Sequence, residues 1–248
     1  ESGAPVAIKV IRLADAAAAR DMEREVSVFA SLSHINVANY VSVAAQGAFL
    51  CIVMEYVSGG SLSKLVATFG PLTERCARRY IGDVVQGLAY LHEHGVAHCD
   101  IKTQNLQLGC DHSCKLLDFG SAVVADADGT FAEAGAGPDG QPIFRGTPAY
   151  AAPEMALGHV SGAVDVWSLG VSVFEVLTGR LPWALPIGNE MMFMRDLVRG
   201  TRIPELLPPG FSDQARDFVR RCLDRDPLRR VTVAELACHP WLGTRKTV

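Results

Sequence analysis

Apolar positions along this chain recur with two periods. Residues 5–11 are a short β-branched run that predicts a strand carrying Lys9, and 37–45 and 48–56 predict two more around a turn at Gln46-Gly47. Helical spacing governs other stretches. Alanines and the stripe Met22, Val26 and Phe29 predict an amphipathic helix over 15–32. Ala77, Ile81, Val84, Val85, Leu88 and Leu91 predict another between Thr73, a capping residue, and Gly95, a stop. Residues 163–177 are apolar almost all round and predict a central buried helix. Helices over 211–223 and 232–239, the latter stopped by Pro240, close the pattern. Between the long helices, 106–108 and 115–117 predict two very short strands framing a turn at Asp111.

Two acids interrupt apolar faces. Glu25 stands beside the Met22–Val26–Phe29 stripe and Asp165 lies inside the buried helix, and a charge so placed is costly unless paired or hydrogen-bonded. For Glu25 a solvated position beside Glu23 and Arg24 stays open on periodicity alone.

Composition narrows the classes. The 248 residues, 49% of them hydrophobic, suffice for one large domain or two lobes sharing a core. A formal charge of −4 gives no electrostatic reason to expect nucleic acid or a membrane surface as partner. No apolar run approaches the roughly twenty residues that span a bilayer, no secretory signal opens the sequence, and seven cysteines without Cys-x-x-Cys do not read as a disulfide framework. A cytoplasmic setting is expected. Cys110, His112 and Cys114 match no usual zinc spacing, and a strand-to-strand turn explains them.

The chemistry concentrates in His98-Cys99-Asp100-Ile101-Lys102-Thr103-Gln104-Asn105, followed eighteen residues after Asp100 by Asp118-Phe119-Gly120. Two acids and an amide on loops suit a metal–phosphate site. Phosphoryl transfer asks mainly for positioning and neutralisation of charge. Asp100 fits the acceptor of a hydroxyl proton, Asn105 and Asp118 fit oxygen ligands of magnesium, and Lys102 fits a group that steadies the transferred phosphate.

These loops stand in an ordered set: Val6-Ala7-Ile8-Lys9, Glu25, the two loops, Ala152-Pro153-Glu154, Asp165-Val166-Trp167-Ser168-Leu169-Gly170, and Asp226-Pro227 with Arg230. In that order the sequence resembles the eukaryotic serine/threonine protein kinases. The resemblance implies an α+β, two-lobed fold, with 1–57 a partial β-rich small lobe and 58–248 a mainly helical large lobe. It implies transfer of the ATP γ-phosphate to protein Ser/Thr hydroxyls with Mg2+. Nucleotide contacts fall by resemblance to Ala7, Lys9, Glu25, Met54, Glu55, Val57, Ser61 and Gln107, metal ligation to Asn105 and Asp118, and catalysis to Asp100, Lys102 and Thr147. Lys9 is expected to pair with Glu25, Thr147 to bridge Asp100 and Lys102, Asp165 to accept from the backbone at His98 and Cys99, and Glu154 to pair with Arg230. Met54 through Leu62, Gly70 through Glu74, Arg79-Tyr80, Gln86 through His92 and Gly146 through Tyr150 resemble the MAP kinase kinase kinases, whose implied substrate is another kinase.

The sequence departs from the family at three places. It opens at the lysine strand, so the two strands and Gly-x-Gly-x-x-Gly loop that the family places before it either lie outside this sequence or are missing from the nucleotide clamp. By the same resemblance Cys99 stands where an arginine usually gathers a phosphate on the activation segment, so activity is expected not to depend strongly on phosphorylation of Thr130 in the Ala/Gly-rich insertion 126–142, whose composition predicts mobility. Gln107 replaces the usual apolar residue beneath the adenine and is expected to weaken nucleotide binding. The missing roof and Gln107 leave a pseudokinase-like interaction module as the alternative to an enzyme.

Overall fold

The structure is a computed structural model that describes residues 3, 5–12, 29–46, 48–126, 128–131, 144–184 and 188–243. The expected helix over 15–32, except its last residues, lies outside them, as do Glu25, Gly47 and most of the insertion 126–142.

A three-stranded antiparallel sheet forms the small lobe, with β1 Val6–Arg12, β2 Tyr40–Gln46 and β3 Phe49–Glu55 in the order β1-β3-β2. The pleat sends Leu50, Ile52 and Met54 of β3 to the covered face. On the other face Val6, Ile8 and Val10 of β1 are 46%, 58% and 59% exposed. The expected start of the second strand at Val37 is corrected: Val37 makes an isolated bridge to Leu116, and the ladder begins at Tyr40.

The large lobe is helical: α1 Leu62–Phe69, α2 Glu74–Glu93, α3 Gly162–Thr178, α4 Glu190–Arg199, α5 Asp213–Cys222 and α6 Val233–Ala237. Thr73 caps α2 through its hydroxyl to the Cys76 N–H, and the chain leaves α2 through Gly95 at φ 67°. Thirteen of the 17 residues of α3 are buried, as its nearly continuous apolar composition requires. The expected helix over 211–223 is Asp213–Cys222 capped by Ser212, and that over 232–239 is Val233–Ala237, begun by a capping box of Thr232 and Glu235 and ending at Cys238 before Pro240 is reached. Helices α1 and α4 are additions to the sequence reading. Their signals were the capping residues Ser61 and Asn189, whose side chains accept from Lys64 N–H and Met192 N–H.

Two small ribbons carry the loops between the lobes. β5 Leu106–Leu108 pairs with β6 Cys114–Leu116, and β4 Val96–Ala97 pairs with β7 Val123–Val124. The β5–β6 ribbon is tied to the segment that follows β3, because Gly59 N–H donates to Leu108 C=O and Leu108 N–H to Gly60 C=O. A Cβ at Gly59 would lie 2.4 Å from the Leu108 oxygen, so only glycine permits this approach.

Candidate active site

The loop after β4 is built on Asp165. Its carboxylate, fully buried in α3, accepts from the His98 and Cys99 N–H groups at 2.8 Å each and pairs with His92 Nε2 at 2.9 Å. The two backbone bonds are those the sequence implies; the His92 contact, from the last turn of α2, is an addition. The pull holds Cys99 at φ 62°, uncommon for a residue with a side chain. Cys99 is buried, and burial pushes its thiol well above the ordinary range.

Asp100 then projects between two donors. Its Oδ2 lies 2.8 Å from Lys102 Nζ, its Oδ1 accepts from Thr147 Oγ1–H at 2.7 Å, and Lys102 Nζ also donates to Thr147 Oγ1 at 2.8 Å. The three side chains expected to carry catalysis therefore close into one triangle, although Thr147 is 47 residues from Asp100. Gly146 makes the approach possible: at φ 84°, a Cβ there would meet the Cys99 carbonyl oxygen at 2.3 Å.

Asn105 faces the same acid. Its Nδ2 donates to the Asp100 carbonyl at 2.9 Å and to Asp100 Oδ2 at 3.1 Å, which leaves Oδ1 as the atom able to ligate a metal. The Leu117 N–H donates to the Asn105 carbonyl at 3.0 Å and so delivers Asp118 beside it. Asp118 sits at φ 64°, with Oδ1 2.5 Å from Lys9 Nζ and accepting from Gly120 N–H at 3.3 Å. Burial raises its carboxyl, and the Lys9 ammonium outweighs that, so it titrates below the ordinary carboxylate range. Phe119 packs against Phe29, Tyr40 and the His98 ring, with centroids 5.4, 5.8 and 4.9 Å away. Oxygen-only donors from one acid and one amide fit a hard divalent cation whose remaining ligands come from phosphate and water. Among the described residues no cluster of three or more His, Cys, Asp or Glu side chains could hold a metal by itself.

Lys9 thus meets Asp118, whereas its expected partner Glu25 lies outside the described residues. The remaining expected nucleotide contacts lie on β1, β3, the segment that follows β3, and β5. Ala7 stands across from Met54 in the β1–β3 register, Met54 is buried, and the Glu55 side chain pairs with Lys115 Nζ at 2.7 Å, an addition to the sequence reading. Ser61 caps α1 and bridges to Gln107, which lies opposite Lys115 in the β5–β6 ribbon and shows no side-chain hydrogen bond among the described residues. Val57 is buried, and no backbone bond to its N–H or C=O is present among the described residues.

A second strut fastens the segment after Asp118. Arg230, 4% exposed, gives Nη1 and Nη2 to Glu154 at 2.5 and 3.0 Å, and gives Nε to the Asp224 carbonyl at 2.8 Å. Trp183 Nε1 donates to the Ala149 carbonyl, which steadies the turn 146–154 from outside. All seven cysteines are free, and no helix among the described residues is long and apolar enough to cross a membrane.

Comparison with known proteins agrees with this geometry. Residues 1–242 match the family described as "Protein kinase domain". Mitogen-activated protein kinase kinase kinase 19 of Mus musculus is 38% identical over 227 residues, which are 90% of this chain and 17% of that protein. Mitogen-activated protein kinase kinase kinase 2 of Arabidopsis thaliana is 32% identical over 252 residues, 98% of this chain and 37% of that protein. MAP kinase kinase kinase wis4 of Schizosaccharomyces pombe is 34% identical over 253 residues, 98% of this chain and 18% of that protein. The chain spans well under half the length of these relatives.

Proposed function

We propose that this chain, which belongs to the protein kinase domain family, transfers the γ-phosphate of ATP to serine or threonine hydroxyls of a protein, as a MAP kinase kinase kinase acting on another kinase. The observation that carries the proposal is the closed triangle of Asp100, Lys102 and Thr147. Asp100 accepts the proton of the attacking hydroxyl. Lys102 keeps that carboxylate aimed and leaves a cationic group beside the moving phosphoryl. Asn105 Oδ1 and the free oxygen of Asp118 would hold magnesium, which supplies charge neutralisation across the phosphates. Lys9, already drawn to Asp118, presents its ammonium to the same anionic group, and the open backbone at Val57 suits the edge of a base.

A non-catalytic interaction module would need no acid–lysine–hydroxyl triangle, and no observation favours it. The missing arginine at Cys99 supports activity without phosphorylation of Thr130, which is exposed. Seven free thiols support a cytoplasmic setting.

The decisive measurement is magnesium-dependent transfer of labelled phosphate from ATP to myelin basic protein by the intact protein and by its Asp118→Asn variant. Transfer should fall by about 100-fold or more in the variant. Equal transfer by both would overturn the metal role of Asp118, and no transfer by either would overturn the kinase reading.

A further inference from the structure

Thr103, between Lys102 and Asn105 in the catalytic loop, has a side chain with no exposure at all. A buried hydroxyl needs an acceptor, and this one finds Glu175 Oε2 on α3 at 2.9 Å. The same carboxylate oxygen accepts from Tyr150 Oη–H at 2.6 Å. Gln104 Oε1 lies farther off, 3.3 Å from Thr103 Oγ1 and 3.4 Å from Tyr150 Oη, so each hydroxyl proton goes to the nearer carboxylate oxygen. Tyr150 belongs to the turn that follows Thr147. One oxygen of a helix fixed in the core therefore holds both the catalytic loop and the turn 146–150.

The two loops are thus joined twice: once where Thr147 meets Asp100 and Lys102, and again where Thr103 and Tyr150 meet on Glu175. A single joint lets one loop pivot about the other, whereas two joints fix their mutual orientation. The turn carries Thr147 against Asp100, so on the kinase reading a hydroxyl presented to Asp100 lies beside it, and displacement by an ångström is enough to impair transfer. Resting on the kinase reading above, we infer that Thr103 is a positioning residue that sets the turn 146–150 against the proposed base Asp100 through Glu175, and so governs productive binding of the protein substrate rather than of the nucleotide.

The test is steady-state kinetics of the intact protein with ATP and myelin basic protein. Thr103→Val keeps the shape and removes the donor. It should raise KM for myelin basic protein about 5–10-fold, the loss of about one ordinary hydrogen bond, with KM for ATP changed less than about twofold. Thr103→Ser restores the donor and should return the protein KM to within about twofold of wild type. Tyr150→Phe should raise the same KM, and the double variant should raise it by less than the product of the two, since both hydroxyls serve one oxygen. An unchanged protein KM in Thr103→Val, or ATP and protein KM rising together as in a generally loosened fold, would overturn the assignment. A wild-type protein that transfers no phosphate would overturn the kinase reading, and this inference with it.

Discussion

The sheet that carries Lys9 and the helix that carries Asp165 are built to opposite standards. β1 leaves Val6, Ile8 and Val10 about half exposed, while α3 buries all but four of its 17 residues. The ionic contacts follow the same division. Lys9 and Asp118 have side chains 40% and 42% exposed, whereas Arg230 and Glu154 have 0% and 10%. An exposed pair gains little from its attraction because water screens it, but a buried pair that loses one member strands a charge. The half that carries Lys9 is therefore left open to solvent and to a charged ligand such as the proposed nucleotide, and the half behind Asp100 is tuned to hold position.

Breaking the buried strut should have the largest effect. Arg230→Met leaves Glu154 uncompensated and should cost about 3–5 kcal/mol of unfolding free energy in urea titration. The matching change in the small lobe, Lys9→Met, should cost less than about 1 kcal/mol in the same titration while phosphate transfer is still lost. Equal destabilisation by the two variants would erase the contrast between the lobes.

On the β5–β6 ribbon, Gln107→Leu removes an amide that, in the proposed nucleotide role, would lose water without gaining a partner. It should lower KM for ATP about 3–10-fold, with stability nearly unchanged. A higher KM would mean that the amide contributes a bond to the nucleotide.

The smallest effect concerns the C-terminal helices. Slight burial raises the Asp217 carboxyl, and hydrogen bonds from Arg220, Arg221 and His239 outweigh it and lower it to about 2. The folded value lies below the unfolded one, so the stabilisation is fully present above about pH 4 and is lost as pH falls toward 2. Asp217→Asn should flatten the fall of Tm across that window by about 1–2 °C, and an identical pH profile would remove Asp217 from the account.

Residue spacing alone determined much of this protein. The stripe from Ala77 to Leu91 and the continuous apolar run from Ala163 to Leu177 specify their helices, because burying such faces dominates the local balance. The order and spacing of Asp100, Lys102, Asn105 and Asp118 pointed to phosphoryl chemistry, because that chemistry demands those groups on adjoining loops. Two short amphipathic helices, α1 and α4, went unread because weak runs of apolar residues depend on the lobe they pack against. Only the tertiary structure decided that Lys9 meets Asp118 across 109 residues, that His92 joins the backbone donors on Asp165, and that Thr103 and Tyr150 share one oxygen of Glu175. Periodicity reports which face of an element is buried; which polar atoms then meet depends on how elements distant in sequence pack together, a distance that no local pattern encodes.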